Sequence, residues 1–248
     1  MPSLLTFVFV HGFLGFNRLS FPLSAVHYFR GLEVVLRRLG APYLIPSLPP
    51  AGTVEERAEA LTAQIQNAAG SFVLVGHSMG GLDSRYAASH LDPDHRVRAV
   101  ITLGTPHRGA PLADWMLSAD GSIPNFFRRR YSRPLTELTP TACLVRNETM
   151  LDREDVYYAS YAGRRATSEL PRILRFFAPH AGFIEGDETD GMVPVSSAKW
   201  GEFQGTAKAD HLELVGWSLG LPSKSKKRPF LHLPLYRSII ADIQDRLL

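Results

Sequence analysis

Ser71-Phe72-Val73-Leu74-Val75-Gly76-His77-Ser78-Met79-Gly80-Gly81 is the stretch that organises the reading of the whole chain. Its first half is a short, nearly continuous apolar run, the pattern of a strand covered on both faces rather than one. Gly70 punctuates before it, and a helical pattern follows to about Leu91. A serine lodged between a buried strand and a helix, with glycine two positions before and two after, fits the G-x-S-x-G turn that presents a strained, exposed hydroxyl. Glycine is required there because strand and helix approach too closely for side chains, and Gly81 adds further room.

Strand and helix signals alternate on either side of this stretch, which predicts parallel βαβ units. Leu4 to Val10 reads as the first strand, Ala25 to Leu39 as a helix stopped by Gly40, and Tyr43-Leu44-Ile45 as a short strand. Thr53-Val54-Glu55-Glu56 opens the next helix as a capping box, in which the Thr hydroxyl bonds the N3 amide and Glu56 reaches back; it runs to about Ala69. Val97 to Leu103 is a further buried strand, ending at Gly104-Thr105-Pro106-His107. From Ala110 to about Ala178 aromatic, proline and arginine residues mix without a sustained period. A cap or lid inserted into a single domain over 1–248 is therefore expected at about 110–178. Val156 to Tyr161 reads as a strand inside it, and Gly182 to Glu185 as another just beyond. Pro234 to Leu248 carries a terminal helix.

A length of 248 residues, with 45% hydrophobic and 21% charged, suits one α/β domain and excludes disordered or collagenous classes. No apolar run approaches a bilayer span, so no transmembrane segment is expected. Leu4 to Val10 has no positive leader or small-residue cleavage site and is read as a strand, not a signal core. With Cys143 as the only cysteine, no intramolecular disulfide forms, and a reducing, cytoplasmic setting is the expectation. The net charge of +3 owes part of its sign to Arg128-Arg129-Arg130 and to Lys224-Ser225-Lys226-Lys227-Arg228, read first as solvated loops. No nucleic-acid module accompanies them.

A serine hydroxyl is a poor nucleophile near neutral pH and needs a base to take its proton and a carboxylate to orient that base. On sheets with this turn the chain order is serine, acid, histidine. His211, in Ala209-Asp210-His211-Leu212, follows a loop and satisfies that order. His107 precedes any acid, His180 precedes Asp190, and His232 lies in a proline-flanked apolar stretch. Asp187, Glu188 and Asp190 compete for the acid. Asp190 is preferred because Gly191-Met192-Val193-Pro194 lets the backbone turn away from its carboxylate, with Asp187 in reserve. An oxyanion needs two amide donors, one after the nucleophile and one from a loop after an early strand. Met79 is the first candidate; Phe13, in His11-Gly12-Phe13-Leu14-Gly15, is the second, ahead of Leu14, with His11 bracing the loop.

Taken together these segments resemble the bacterial true-lipase group of triacylglycerol lipases and related intracellular lipase-like hydrolases. Val10 to Phe16 is similar to that group's oxyanion loop, and Gly76 to Gly81 with Arg85-Tyr86 to its nucleophile segment. Leu103 to Gly109 resembles its G-x-P-H-x-G strand end, and Asp190 to Val193 and Asp210 to Leu212 its acid and base segments. Within 110–178 the likeness is patchy, around Leu135-Thr136 and Tyr158 to Gly163. The resemblance implies an α/β-hydrolase fold and hydrolysis of acylglycerols or similar lipid esters. Short-chain esterase, acyltransferase and a non-catalytic lipid- or protein-binding module are the alternatives. Many secreted members carry a disulfide and a calcium ion near the catalytic histidine. Here Glu213 stands two after His211 but Trp217, six after, cannot ligate, so no metal or cofactor is expected. Trp115, Met116, Leu117, Ile123, Phe126 and Phe127, beside Arg128 to Arg130, supply either a face for transient lipid contact or cap residues packed on the core.

Overall fold

The pleat of β1 (Leu5–Val10) shows how an unbroken apolar run is used. Leu5, Phe7 and Phe9 enter one core with Phe29, Leu36 and Tyr236, while Val8 and Val10 enter a second with Leu61, Leu74 and Ala87. Successive side chains point to opposite faces and both faces are covered, so polar alternation is absent. A computed structural model of the chain describes residues 4–21, 24–118, 124–218 and 230–248.

β1 stands in a six-stranded sheet ordered β4 (Tyr43–Leu44), β1, β5 (Ser71–His77), β6 (Val97–Leu103), β7 (Tyr157–Gly163), β8 (Glu202–Ala207). Every neighbouring pair is parallel. One face is covered by α1 (Leu32–Leu39) and α9 (His232–Leu247), the other by α2 (Val54–Ile65) and α3 (Met79–His90). The chain leaves β1 for β4 on one side and enters β5 on the other, so the loops after β1 and β5 diverge. A crevice opens at such a switch, beyond the carboxyl ends of the strands. No helix among the described residues is long and apolar enough to cross a membrane.

Four readings of the sequence are corrected or extended. Ala25 to Leu39 is not one helix: β2 (Arg18–Phe21) and β3 (Ser24–His27) form an antiparallel pair, and α1 starts only after Gly31, at φ 70°. The helix opened by Thr53 ends as α2 at Ile65 rather than near Ala69. Gly182 to Glu185 is not a strand, because the Phe183 and Ile184 amides, which a ladder would need, both donate to Asp187 Oδ2 and close a turn. β8 was not expected, since an edge strand containing Gln204 and Gly205 lacks the apolar run of its neighbours. The strand at Val156 to Tyr161 is β7, a member of the central sheet, so it divides the irregular region. α4 (Pro111–Leu117), α5 (Asn125–Glu137) and α6 (Pro140–Thr149) precede it, while α7 (Arg172–Phe177) and the one-turn α8 (Val195–Ala198) follow. Ile123 and the Lys224 to Arg228 cluster lie outside the described residues.

Candidate active site

Ser78 joins β5 to α3 with φ 57° and ψ −132°. A non-glycine residue there is strained and persists only where its surroundings dictate the turn. The neighbouring glycines supply that constraint. A Cβ on Gly76 would lie 2.5 Å from Gly81 N and Gly80 O, and one on Gly80 would lie 2.3 Å from Val10 O, so no side chain fits either position. The Ser78 amide donates to Leu103 O at 3.0 Å, which ties the turn to β6.

His211 and Asp190, distant from Ser78 in sequence, meet it there. His211 Nε2 lies 2.9 Å from Ser78 Oγ, and His211 Nδ1 lies 2.7 Å from Asp190 Oδ2. A carboxylate only accepts, so Nδ1 carries the imidazole proton and Nε2 presents its lone pair to the serine hydroxyl. Asp190 is 1% exposed, and its Oδ1 accepts the Met192 and Val193 amides at 2.9 and 2.8 Å. The turn at Gly191 thus supplies donors to the carboxylate instead of merely leading the chain away. Asp187, the reserve, spends Oδ2 on its own turn, and Glu188 pairs with Arg164.

The loop after β1 presses against this turn: a Cβ on Gly12 would stand 2.8 Å from Ser78 Cβ. The Leu14 amide donates to Pro50 O at 2.7 Å, whereas among the described residues the Phe13 and Met79 amides have no protein acceptor. That difference favours Phe13 over Leu14. His11 braces the loop as expected. Its Nε2 accepts the Leu48 amide at 3.1 Å, so Nδ1–H donates to Gly12 O at 3.0 Å, and burial, reinforced by Arg57, pushes its pKa down to about 4.

Sequence reasoning missed several supports. Arg57, fully buried, donates to Asp83 Oδ2, to Pro49 O and to His11 O, clamping the loop from behind. Burial pushes the Asp83 carboxyl up to about 6 against the pull of Arg57. A charged residue on the inner face of α2, with an aspartate five positions after Ser78, was the one available signal. The rejected histidines have other partners. His107 bonds Thr102 Oγ1 and stacks on Trp200, His180 stacks on Trp115 and His232 meets Arg30 O. Glu213 pairs with Arg165 and accepts the Asp210 amide.

Above the crevice, Tyr131 of α5 packs edge-on against Phe13 with ring centres 5.7 Å apart. Trp115 of α4 meets Phe176 and Phe177 of α7, while Phe126 projects outward, 79% exposed.

Residues 6–139 match the alpha/beta hydrolase fold family. The chain is 30% identical over 215 residues to triacylglycerol lipase 2 of Saccharomyces cerevisiae, covering 79% of this chain and 64% of that one. It is 34% identical over 110 residues to a triacylglycerol lipase of Pseudomonas fragi, covering 42% of this chain and 36% of the relative. It thus spans less than two thirds of either relative's length. Among solved structures, a metagenomic carboxyl esterase superposes with a TM-score of 0.78 at 19% identity, covering 100% of this chain and 77% of the other, a likeness of fold alone.

Proposed function

The chain belongs to the alpha/beta hydrolase fold family, and on that premise we propose that it is a serine hydrolase cleaving carboxylic esters of lipid type through an acyl-enzyme on Ser78. The observation that carries this reading is the continuous Ser78–His211–Asp190 hydrogen-bond chain, with contacts of 2.9 and 2.7 Å. His211 Nε2 takes the hydroxyl proton as Ser78 Oγ attacks the ester carbonyl. The tetrahedral oxyanion accepts from the Phe13 and Met79 amides. Nε2–H then protonates the departing alcohol. Water, deprotonated at the same nitrogen, attacks the acyl-serine, releasing the acid and restoring the Ser78 hydroxyl. Asp190 accepts Nδ1–H, which orients the imidazole and stabilises the imidazolium that forms.

The lipid preference is supported by the triacylglycerol lipase relatives and by the apolar residues around the crevice. In this reading α4 to α7 form the cap, and Phe126 with Arg129 and Arg130 makes transient contact with a lipid surface. A cytoplasmic setting belongs to the same proposal and rests on the chain's single cysteine.

The test is hydrolysis of p-nitrophenyl esters of increasing acyl length. Ser78→Ala is expected to lower kcat by on the order of a million-fold, and the wild type to turn over long acyl chains. A Ser78→Ala protein with near-normal rates overturns the reading. Preference for short acyl chains moves the substrate class to that of a simple esterase, and product partition toward added alcohol moves the activity to acyl transfer.

A further inference from the structure

His77, the residue before Ser78, is fully buried, and the acyl-enzyme mechanism above gives it no task. Both of its ring nitrogens are nonetheless committed. Nε2 lies 2.9 Å from the backbone carbonyl of His211, and Nδ1 lies 2.8 Å from the hydroxyl of Tyr28. The same hydroxyl takes the amide of Gly12 at 3.2 Å.

The two ends of this chain fix its polarity. A carbonyl only accepts, so Nε2 of His77 carries a proton; an amide only donates, so Tyr28 Oη accepts from Gly12. The Tyr28 hydroxyl proton is then free to go to Nδ1, and a neutral imidazole accepts it there. The run is Gly12 N–H to Tyr28 O–H to His77 Nδ1, with His77 Nε2–H to His211 O, and every buried group in it is satisfied. Burial first of all keeps the His77 pKa well below 6.5, so the ring stays in the neutral form that this pattern requires. It lies 4.6 Å from the His211 ring, centre to centre.

The two segments joined by this run serve one reaction, the oxyanion loop holding the carbonyl oxygen while the base takes the Ser78 proton. Gly12 adjoins Phe13, whose amide is a candidate oxyanion donor. His211 carries the base, and its backbone amide is separately held by Asp190 O at 3.0 Å. We propose that His77 and Tyr28 are positioning residues that set the distance between the oxyanion loop and the catalytic base by linking the two backbones through one buried hydrogen-bond chain. This rests on the acyl-enzyme reading of Ser78. Both side chains are buried, so the interaction is expected to act on alignment in the transition state and to leave ground-state binding alone.

The experiment uses the full-length protein with Tyr28→Phe, His77→Leu, their double variant and His77→Gln. Misalignment on the scale of an ångström costs roughly a hundredfold. Tyr28→Phe and His77→Leu are therefore expected to lower kcat by about ten- to a hundredfold with KM within about twofold. The double variant is expected to be no worse than the poorer single one, because both break the same run. His77→Gln keeps one N–H donor and one acceptor and is expected to recover most of kcat. The inference is overturned if the Leu and Phe variants keep wild-type kcat, if their losses multiply in the double variant, or if Gln is no better than Leu. Fluorophosphonate labelling separates the two levels. A wild type that does not label on Ser78 sinks the acyl-enzyme reading itself, whereas labelling of the wild type with unimpaired turnover in the variants sinks only the positioning role.

Discussion

Two aspartates three positions apart, Asp187 and Asp190, illustrate what a residue's neighbours decide. The sequence favoured Asp190 on the freedom of the following glycine, and the structure supplies a stronger ground. Asp190 accepts two amides and one imidazole, while Asp187 closes a local turn with the amides of Phe183 and Ile184. An acid that holds the histidine tautomer is worth about ten-thousandfold in turnover when its charge is removed without changing its shape. Asp190→Asn is therefore expected to lower kcat by that order, and Asp187→Asn to leave kcat within about threefold. Steady-state kinetics on both variants checks the pair, and equal losses would show that the assignment of the acid is wrong. At this scale Ser78, His211 and Asp190 were legible because each sits in a short local motif. Arg57, Asp83, Tyr28 and His77 were not, because their roles exist only once residues from α2, α3, β5 and the loop after β3 are brought to one place.

Elements were legible to the extent that their own sequence set them. α2 begins where the Thr53 capping box places it, with Glu56 Oε2 on the Thr53 amide and Thr53 Oγ1 on the Glu56 amide. β5 and β6 read directly because central strands buried on both faces are continuous apolar runs. Two of the failures share a cause, since β8 and β3 each depend on a partner strand. β8 has one neighbour, β7, and its residues alternate between exposed and half-buried, so no apolar run announces it. β3 carries residues that also fit a helical period, and its pairing with β2 together with the left-handed Gly31 overrides that pattern. Gly182 to Glu185 commits its Phe183 and Ile184 amides to Asp187 Oδ2 and so closes a turn instead of entering a ladder. The helices around β7 lacked a clear period because they pack partly on one another, as Trp115 does on Phe176, Phe177 and His180.

For the molecule as a whole, the buried titratable groups set how stability responds to acid. His11 is held to about 4, and His77 and His107 well below 6.5, burial being the first cause in each. Unfolding returns each to about 6.5. As pH falls through that range the unfolded chain binds protons that the folded chain refuses, so stability is lost. Asp83 acts in the opposite sense: burial holds its carboxyl near 6, so the folded chain binds a proton there that the unfolded chain does not, and stability is gained as pH falls. The His11 shift is worth about 3 kcal/mol, and the Asp83 shift is of similar size and opposite sign. His77 and His107 then decide the balance. Urea unfolding is expected to give a lower free energy at pH 5 than at pH 7.5, and an equal or higher value at pH 5 would contradict the assignment of these histidines as neutral.

The same whole-molecule geometry brings the ends of β1 and β5 and the loops bearing Asp190 and His211 to one rim of the sheet, and the account depends on that convergence being chemically competent. Its most direct measurement is mass-spectrometric mapping of the fluorophosphonate adduct on the full-length protein and on His211→Gln. The expected result is a single adduct on Ser78 in the wild type, with the rate of labelling in His211→Gln slowed by at least about a thousandfold. An adduct on another residue, or undiminished labelling of Ser78 without His211, would contradict it.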